Sequence, residues 1–303
     1  MKGSIRLVTR EDVNEDRWNE LINKSQYFRH YYLTYFLDAA THGWSAIICD
    51  DYEWVWPLPT KRFPVKQIIQ PLLAQQLGPF PPDKVGKEDV SNICGKLSLD
   101  YWRLNFKLHD KVKIDLPSIS HINIELQLNK PYEELSKAYN RNVQSNLKKA
   151  RHTYLKISES SDYVNDLVDM FKSGKGKGIR ELDHAFYETV KAIYEAFESR
   201  KQAQTWIARL DGQIVAGAMV FHSNDRLLLF FTASSQKSRS CGAMHAIIDA
   251  IIEHWAEKAQ IFDFEGSDDP NLAFFYKSFG GVEEIYLQYK TKWKIPFLNR
   301  LFE

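Results

Sequence analysis

The chain has 303 residues, 44% hydrophobic and 26% charged, an ordinary globular composition with length enough for two domains. Its 40 basic side chains against 39 acidic ones leave a net charge of +1, so no global field draws it to nucleic acid or membrane. The three cysteines (Cys49, Cys94, Cys241) form no CxxC pair and the 9 histidines never fall at HxxxH spacing, which excludes a disulfide framework and predicts no metal site.

The odd cysteine count fits a reducing compartment, no apolar run reaches the length of a membrane span, and the start MKGSIRLVTREDVNED is too charged for a signal peptide. The composition therefore predicts a soluble cytoplasmic protein.

In the first half, Ile5 to Val8 reads as a strand, and Trp18, Leu21 and Ile22 mark a helix by their i, i+3, i+4 spacing. A second helix is expected over Tyr32 to Thr41. The runs WSAIICD and EWVWPLP then form a hairpin turning at Asp50 to Tyr52. Most of the chain's prolines lie between Pro57 and Pro82, predicting loop with short extended pieces. A helix near Val90 to Trp102 and a strand near His121 to Leu128 close this half.

A single long helix with a basic end is expected from Pro131 to Arg151, then a strand in TYLKISES. A helix over Asp162 to Phe171 follows, capped by Ser160, Ser161 or Asp162. KSGKGKGIREL breaks all periodicity and reads as a mobile loop before a helix over Asp183 to Arg200. QTWIARL, IVAGAMVFH and RLLLFFTAS are three strands joined by the tight turns DGQ and SND. A polar loop, SQKSRSCG, leads into a helix over Ala243 to Ala259 that buries Ile247, Ile248, Ile251, Ile252 and Trp255. The strand IFDFE, the helix NLAFFYKSF and a strand at Ile285 to Lys290 complete this half. A helix between two strands crosses right-handedly and makes them parallel, so the sheet is mixed.

That order of elements resembles the GNAT acyltransferase fold. Three segments, RNVQSNLKKARHTYLKI, DGQIVAGAMVFHSNDRLLLFF and FDFEGSDDPNLAFFYKSFGG, resemble the FemABX and FemAB-like peptidyl transferases, which are tandem GNAT-like proteins. The resemblance is strong over residues 131 to 290 and is one of pattern before that. It implies an α/β (α+β) fold of two tandem GNAT-like domains, each a mixed twisted sheet flanked by helices. Residues 1–129 form a degenerate N-terminal domain and 130–303 the acyltransferase domain. It further implies an enzyme that forms an amide on an acceptor amine, with a peptidoglycan precursor or other small molecule as acceptor and tRNA as a partner. No cofactor is held tightly: the co-substrate is aminoacyl-tRNA, or else acetyl-CoA or acyl-CoA. The acetyl-CoA loop of ordinary GNAT enzymes has a small residue where this chain has Met244, and the long helical arm of some FemABX members is missing.

By this resemblance Tyr276 and Lys277 orient the donor and stabilise the oxyanion, and Glu265 handles the amine as a general base. Arg239, Lys237 and Gly242, before the long helix, are the donor-phosphate candidates. Ser267 and Asp268 lie beyond a strand's carboxyl end, where ligands of open α/β sheets collect, and with Lys148 and Arg151 on one helix face are the acceptor candidates. Plainer accounts exist for several: Asp269 before Pro270 is a helix cap, the basic helix end suits the macrodipole, and His222, His245 and Cys241 read as structural. The aromatics of EWVWPLP and QYFRHYY are either cleft lining or core. Two other functions stay open: an acyl-CoA-dependent N-acetyltransferase on a small amine or sugar, and a non-catalytic module binding nucleotide, RNA or protein.

Overall fold

A computed structural model describes residues 4–61, 65–160, 162–265 and 268–291. The chain divides into two compact units, one of residues up to 122 together with those from 285 onward, the other of 123–284. No described helix is long and apolar enough to cross a membrane.

The first unit carries β1 (Ile5–Thr9), α1 (Glu15–Lys24), α2 (Thr34–Ala40), β2 (Trp44–Cys49), β3 (Trp54–Lys61), β4 (Gln67–Ile69), α3 (Lys87–Asp100) and β5 (Arg103–His109). Asn14 caps α1 by accepting from the Arg17 N–H, and α1 buries Trp18 and Ile22. Residues 50–53 turn β2 into β3 with Asp50 and Tyr52 at positive φ, as the hairpin reading required. Pro57 and Pro59 lie inside β3, within the EWVWPLP strand expected from the sequence. They are tolerated because they share the parity of Val55, whose N–H points away from β2 to the Phe80 carbonyl, so no β2–β3 bond is lost. The aromatics of this half are core: Trp54, Trp56, Tyr31 and Tyr32 are all buried. Trp18 and Trp56 satisfy their indole N–H groups on the Tyr32 and Leu77 carbonyls.

The second unit carries β6 (Ser118–Gln127, its last residues), α4 (Tyr132–Lys137), α5 (Arg141–His152), β7 (Lys156–Ser160), α6 (Val164–Ser173), α7 (His184–Glu198), β8 (Ala203–Leu210), β9 (Gln213–Ser223), β10 (Arg226–Ser234), α8 (Gln236–Cys241), α9 (Ala243–Trp255), β11 (Ile261–Asp263) and α10 (Pro270–Lys277). Three expectations fail locally. The single helix over residues 131–151 is two, because the Asn140 side chain accepts from the Val143 N–H and starts α5 afresh. Tyr163, not Ser160 or Asp162, stands at the α6 N-cap, Ser160 and Asp162 being bonded to each other; Ser161 lies outside the described residues. Part of the polar loop before α9 is the short helix α8, ended by Gly242 at φ 71.

The sheet of this unit runs β6-β11-β10-β9-β8-β7. The β10–β11 pair is parallel and the others antiparallel, the mixed sheet the element order predicted. Consecutive residues of β9 show what covers each face. Phe221 stacks on Phe197 of α7 with ring centroids 4.0 Å apart, and His222 packs on Trp255 of α9. Gly217, on the Phe221 side, lies against Leu167 of α6. Helices α6 and α7 therefore cover one face and α9 the other.

The last strand, β12 (Val282–Lys290), was expected to complete the C-terminal half. Its residues Tyr286 to Lys290 instead pair antiparallel with β5, extending the first unit's sheet order β1-β2-β3-β4-β5.

Candidate active site

The site arises where two strands part. β10 pairs with β11 only through Arg226 to Leu228 against Ile261 to Asp263, whereas β10 itself runs on to Ser234. An irregularity between Leu229 and Phe231 interrupts the β10–β9 register at that point, and such a bulge bends its strand. The parting opens a cavity of about 310 Å³. Phe171 and Lys175 enter it from α6 and the turn behind it, Met244, His245 and Ile248 from α9, and Phe275 and Tyr276 from α10. Because α6 and α9 cover opposite faces, the cavity passes through the opened sheet.

Tyr276 is buried and stacks on Phe264 at 4.7 Å with planes 12° apart. Burial and then the charge of Glu265 push its phenol well above the ordinary range, so it stays protonated at neutral pH. Glu265 has φ 51, and its N–H donates to Asp263 Oδ1 at 3.0 Å. Asp263 is anchored from below. Asn123 Nδ2 reaches its Oδ1 at 2.9 Å, and Arg226 Nη2 bonds both its Oδ2, at 2.6 Å, and Glu125. Burial disfavours the Arg226 guanidinium, but the charges of Asp263 and Glu125 outweigh it and keep it protonated.

His245 meets Phe275 edge-on at 4.8 Å. Burial, aided by the charge of Lys149, pushes its imidazole down to about 4, so it is neutral at pH 7. Sequence spacing gives no sign that this histidine faces a cavity. Its position one turn below α8 on α9 is the only signal, and it appears once the strands are seen to part.

Of the expected residues, the fold brings Tyr276 and Arg239 to the cavity, with Glu265 interacting electrostatically with Tyr276. Lys277 is corrected: its ammonium pairs with Glu283, is 42% exposed and does not line the cavity. The helical turn that aims Tyr276 inward sends its neighbour outward. Gly242 is also reassigned. A Cβ there would fall on the Asn146 carbonyl, so glycine is required for α9 to pack on α5. Lys237, Lys148 and Arg151 are exposed and outside the lining, as is Asp268; Ser267 lies beyond the described residues. Asp269 is a cap, accepting from the Asn271 N–H at 2.8 Å with Pro270 at the first helical position. Cys241 is buried with its thiol on the Lys237 and Ser238 carbonyls. The glycine loop after α6 forms hydrogen-bonded turns in which Gly176 is buried. In the first unit Cys49, Asp50 and Glu53 bring three potential ligand atoms within 4.8 Å of one another, and burial pushes the Cys49 thiol up to about 11.

Residues 137–278 match the model of the acetyltransferase (GNAT) domain, the stretch that holds the parted strands and the cavity. The chain is a GNAT-fold protein. Its whole length superposes on a crystal structure of FemX with a TM-score of 0.70 at 12% identity, covering 99% of each chain. L-PGS from Bacillus licheniformis gives 0.56 at 12% identity, covering 94% of this chain and 95% of that one. A tandem GNAT protein from the clavulanic acid biosynthesis pathway gives 0.54 at 11%, covering 95% and 98%. At such identities the likeness is one of fold, and that fold is the tandem GNAT arrangement expected from the sequence. No curated protein matches the sequence.

Proposed function

We propose that the chain is an acyltransferase of the FemAB-like kind, joining an aminoacyl or acyl group to an acceptor amine in the cavity between β10 and β11. The observation that supports this most is the parting of those strands beside Tyr276: an extended carbonyl donor needs a slot through the sheet, and a protonated phenol stands in its wall. The amine attacks the carbonyl, the C–N bond forms, and negative charge collects on the carbonyl oxygen. The Tyr276 hydroxyl donates to that oxygen. Glu265, beside Tyr276 and held in its turn by Asp263, receives the amine proton directly or through water. The tetrahedral intermediate then expels the ester alcohol or thiol, which takes up a proton.

Asp263 and Arg226 act as positioning residues, since they fix the turn that carries Glu265. Lys277 is given no contact with the carbonyl. An acyl-CoA donor is the weaker assignment, because Met244 fills part of the lining and Gly242 faces Asn146 instead of a ligand. By the resemblance of its sequence segments to the FemAB-like transferases, a peptidoglycan precursor is the proposed acceptor and tRNA the proposed carrier of the donor.

Single-turnover transfer from aminoacyl-tRNA, acetyl-CoA and long-chain acyl-CoA to peptide and muropeptide amines tests the proposal. Transfer from at least one donor, lost in Tyr276→Phe and kept in Lys277→Met, is expected. Equal rates in wild type and Tyr276→Phe would remove Tyr276, and no transfer from any donor would remove the function.

A further inference from the structure

The cavity wall holds an imidazole whose proton is placed by a neighbouring helix. Asn146 of α5 lies against the joint between α8 and α9, with its carbonyl beside Gly242. Its side chain is oriented by its own helix. Nδ2 donates to the Asn142 carbonyl at 2.9 Å and to Asn142 Oδ1 at 3.1 Å, and Oδ1 accepts from the Lys149 ammonium at 3.5 Å. The same Nδ2 reaches His245 Nε2 at 3.5 Å. An amide nitrogen donates and does not accept, so Nε2 is the accepting nitrogen of the ring. The proton of the neutral imidazole therefore sits on Nδ1.

Burial keeps the ring neutral, and the charge that acts on it is the cation Lys149 rather than a carboxylate. Among the described residues Nδ1 makes no hydrogen bond, and it is not shut away from solvent. His245 lines the cavity between apolar neighbours, Met244, Ile248 and Phe275. A ligand that fills the cavity closes over an N–H that these neighbours cannot satisfy. One without an acceptor leaves it unpaired, at the cost of a desolvated donor.

We propose that His245 is a specificity-determining residue whose Nδ1–H binds a neutral carbonyl oxygen of the ligand. The cavity thereby selects an amide, ester or ketone on an apolar body over a hydrocarbon of the same shape. This rests on reading the cavity as the substrate site and adds a contact to that of Tyr276. His245 takes no proton in the reaction, because Nε2, its accepting nitrogen, faces Asn146.

Two measurements on the full chain test this. In the protein labelled with 15N-histidine, two-bond proton–nitrogen correlation at pH 7, with His245→Gln for assignment, should show Nδ1 protonated and Nε2 bare. An unconstrained imidazole prefers its proton on Nε2, so finding it there would overturn the proposal. Calorimetric titration with acetophenone and ethylbenzene, which share ring and chain and differ in the carbonyl, gives the second. His245→Leu should weaken acetophenone binding about tenfold and leave ethylbenzene within about twofold, while His245→Gln, which keeps an N–H donor, retains most of the affinity for acetophenone. Equal weakening of both probes would make His245 a matter of shape and overturn the proposal, as would His245→Leu binding acetophenone as wild type does. Neither measurement needs catalysis: carbonyl binding through His245 without transfer from any donor would refute the proposed function and leave this contact standing.

Discussion

Gly242→Ala separates two costs that a glycine can conceal. Gly242 has φ 71 and lies against the Asn146 carbonyl of α5, whose carbon would stand 3.0 Å from an added Cβ. Gly212, in the β8–β9 turn, has φ 78 and nothing within 4 Å of the same position. Left-handed backbone costs alanine about 1 kcal/mol, so Gly212→Ala loses about that much. At Gly242 the methyl also overpacks against a backbone carbonyl that no rotamer change can relieve, adding about 1–3 kcal/mol and giving about 2–4 kcal/mol in all. At about 2–4 °C per kcal/mol for a domain of this size, differential scanning calorimetry should show Gly212→Ala melting about 2–4 °C below wild type. Gly242→Ala should melt about 4–16 °C below it. The two variants melting within about 2 °C of each other would show that α9 does not pack on α5 as described.

Arg226→Met leaves Glu125 and Asp263 buried without their guanidinium, and chemical denaturation should register a loss of about 3–5 kcal/mol; a loss below about 1 kcal/mol would mean that the network is not dry. Tyr276→Phe removes one donor to the oxyanion, so single-turnover transfer should slow about 100-fold with little change in melting temperature, whereas Lys277→Met should stay within about threefold of wild type. His245 adds a pH dependence. Its folded pKa of about 4 lies below the ordinary 6.5, so the unfolded chain binds the proton more readily. The stability His245 contributes is complete above about pH 6.5 and is lost as pH falls toward 4. A His245→Gln variant should show a shallower fall in melting temperature across that window, and an identical fall would place the titration elsewhere.

Most of the C-terminal half was legible because its signals are local. The DGQ and SND turns are short-range, the β8–β10 strands are bounded by them, and the isoleucines of α9 repeat at helical spacing. What stayed hidden depends on partners distant in sequence. Arg226 finds Glu125 across 101 residues, and β12 finds β5, so neither pairing leaves a periodic trace. Asn140 broke a helix that composition alone would have continued, since a capping side chain competes locally with the helical backbone. At the site, the motif with Tyr276 and Lys277 was visible, but which of the two faces inward is a matter of helix phase. The glycines around Lys175 looked like disorder because their sequence shows freedom and not the Tyr187 and Phe171 rings that remove it.

The strand that pairs with β5 is made late. While a ribosome is building this chain, the Arg103–His109 edge must wait for about 180 further residues before Tyr286 to Lys290 emerge to cover it. Until then, unclaimed main-chain amides on β5 are open to whatever extended segment arrives first. The second unit has a similar wait, since Glu125 to Gln127 of β6 find their partners only in Ile261 to Asp263 of β11. Losing Tyr286 to Lys290 would therefore injure a sheet whose other strands were synthesised long before.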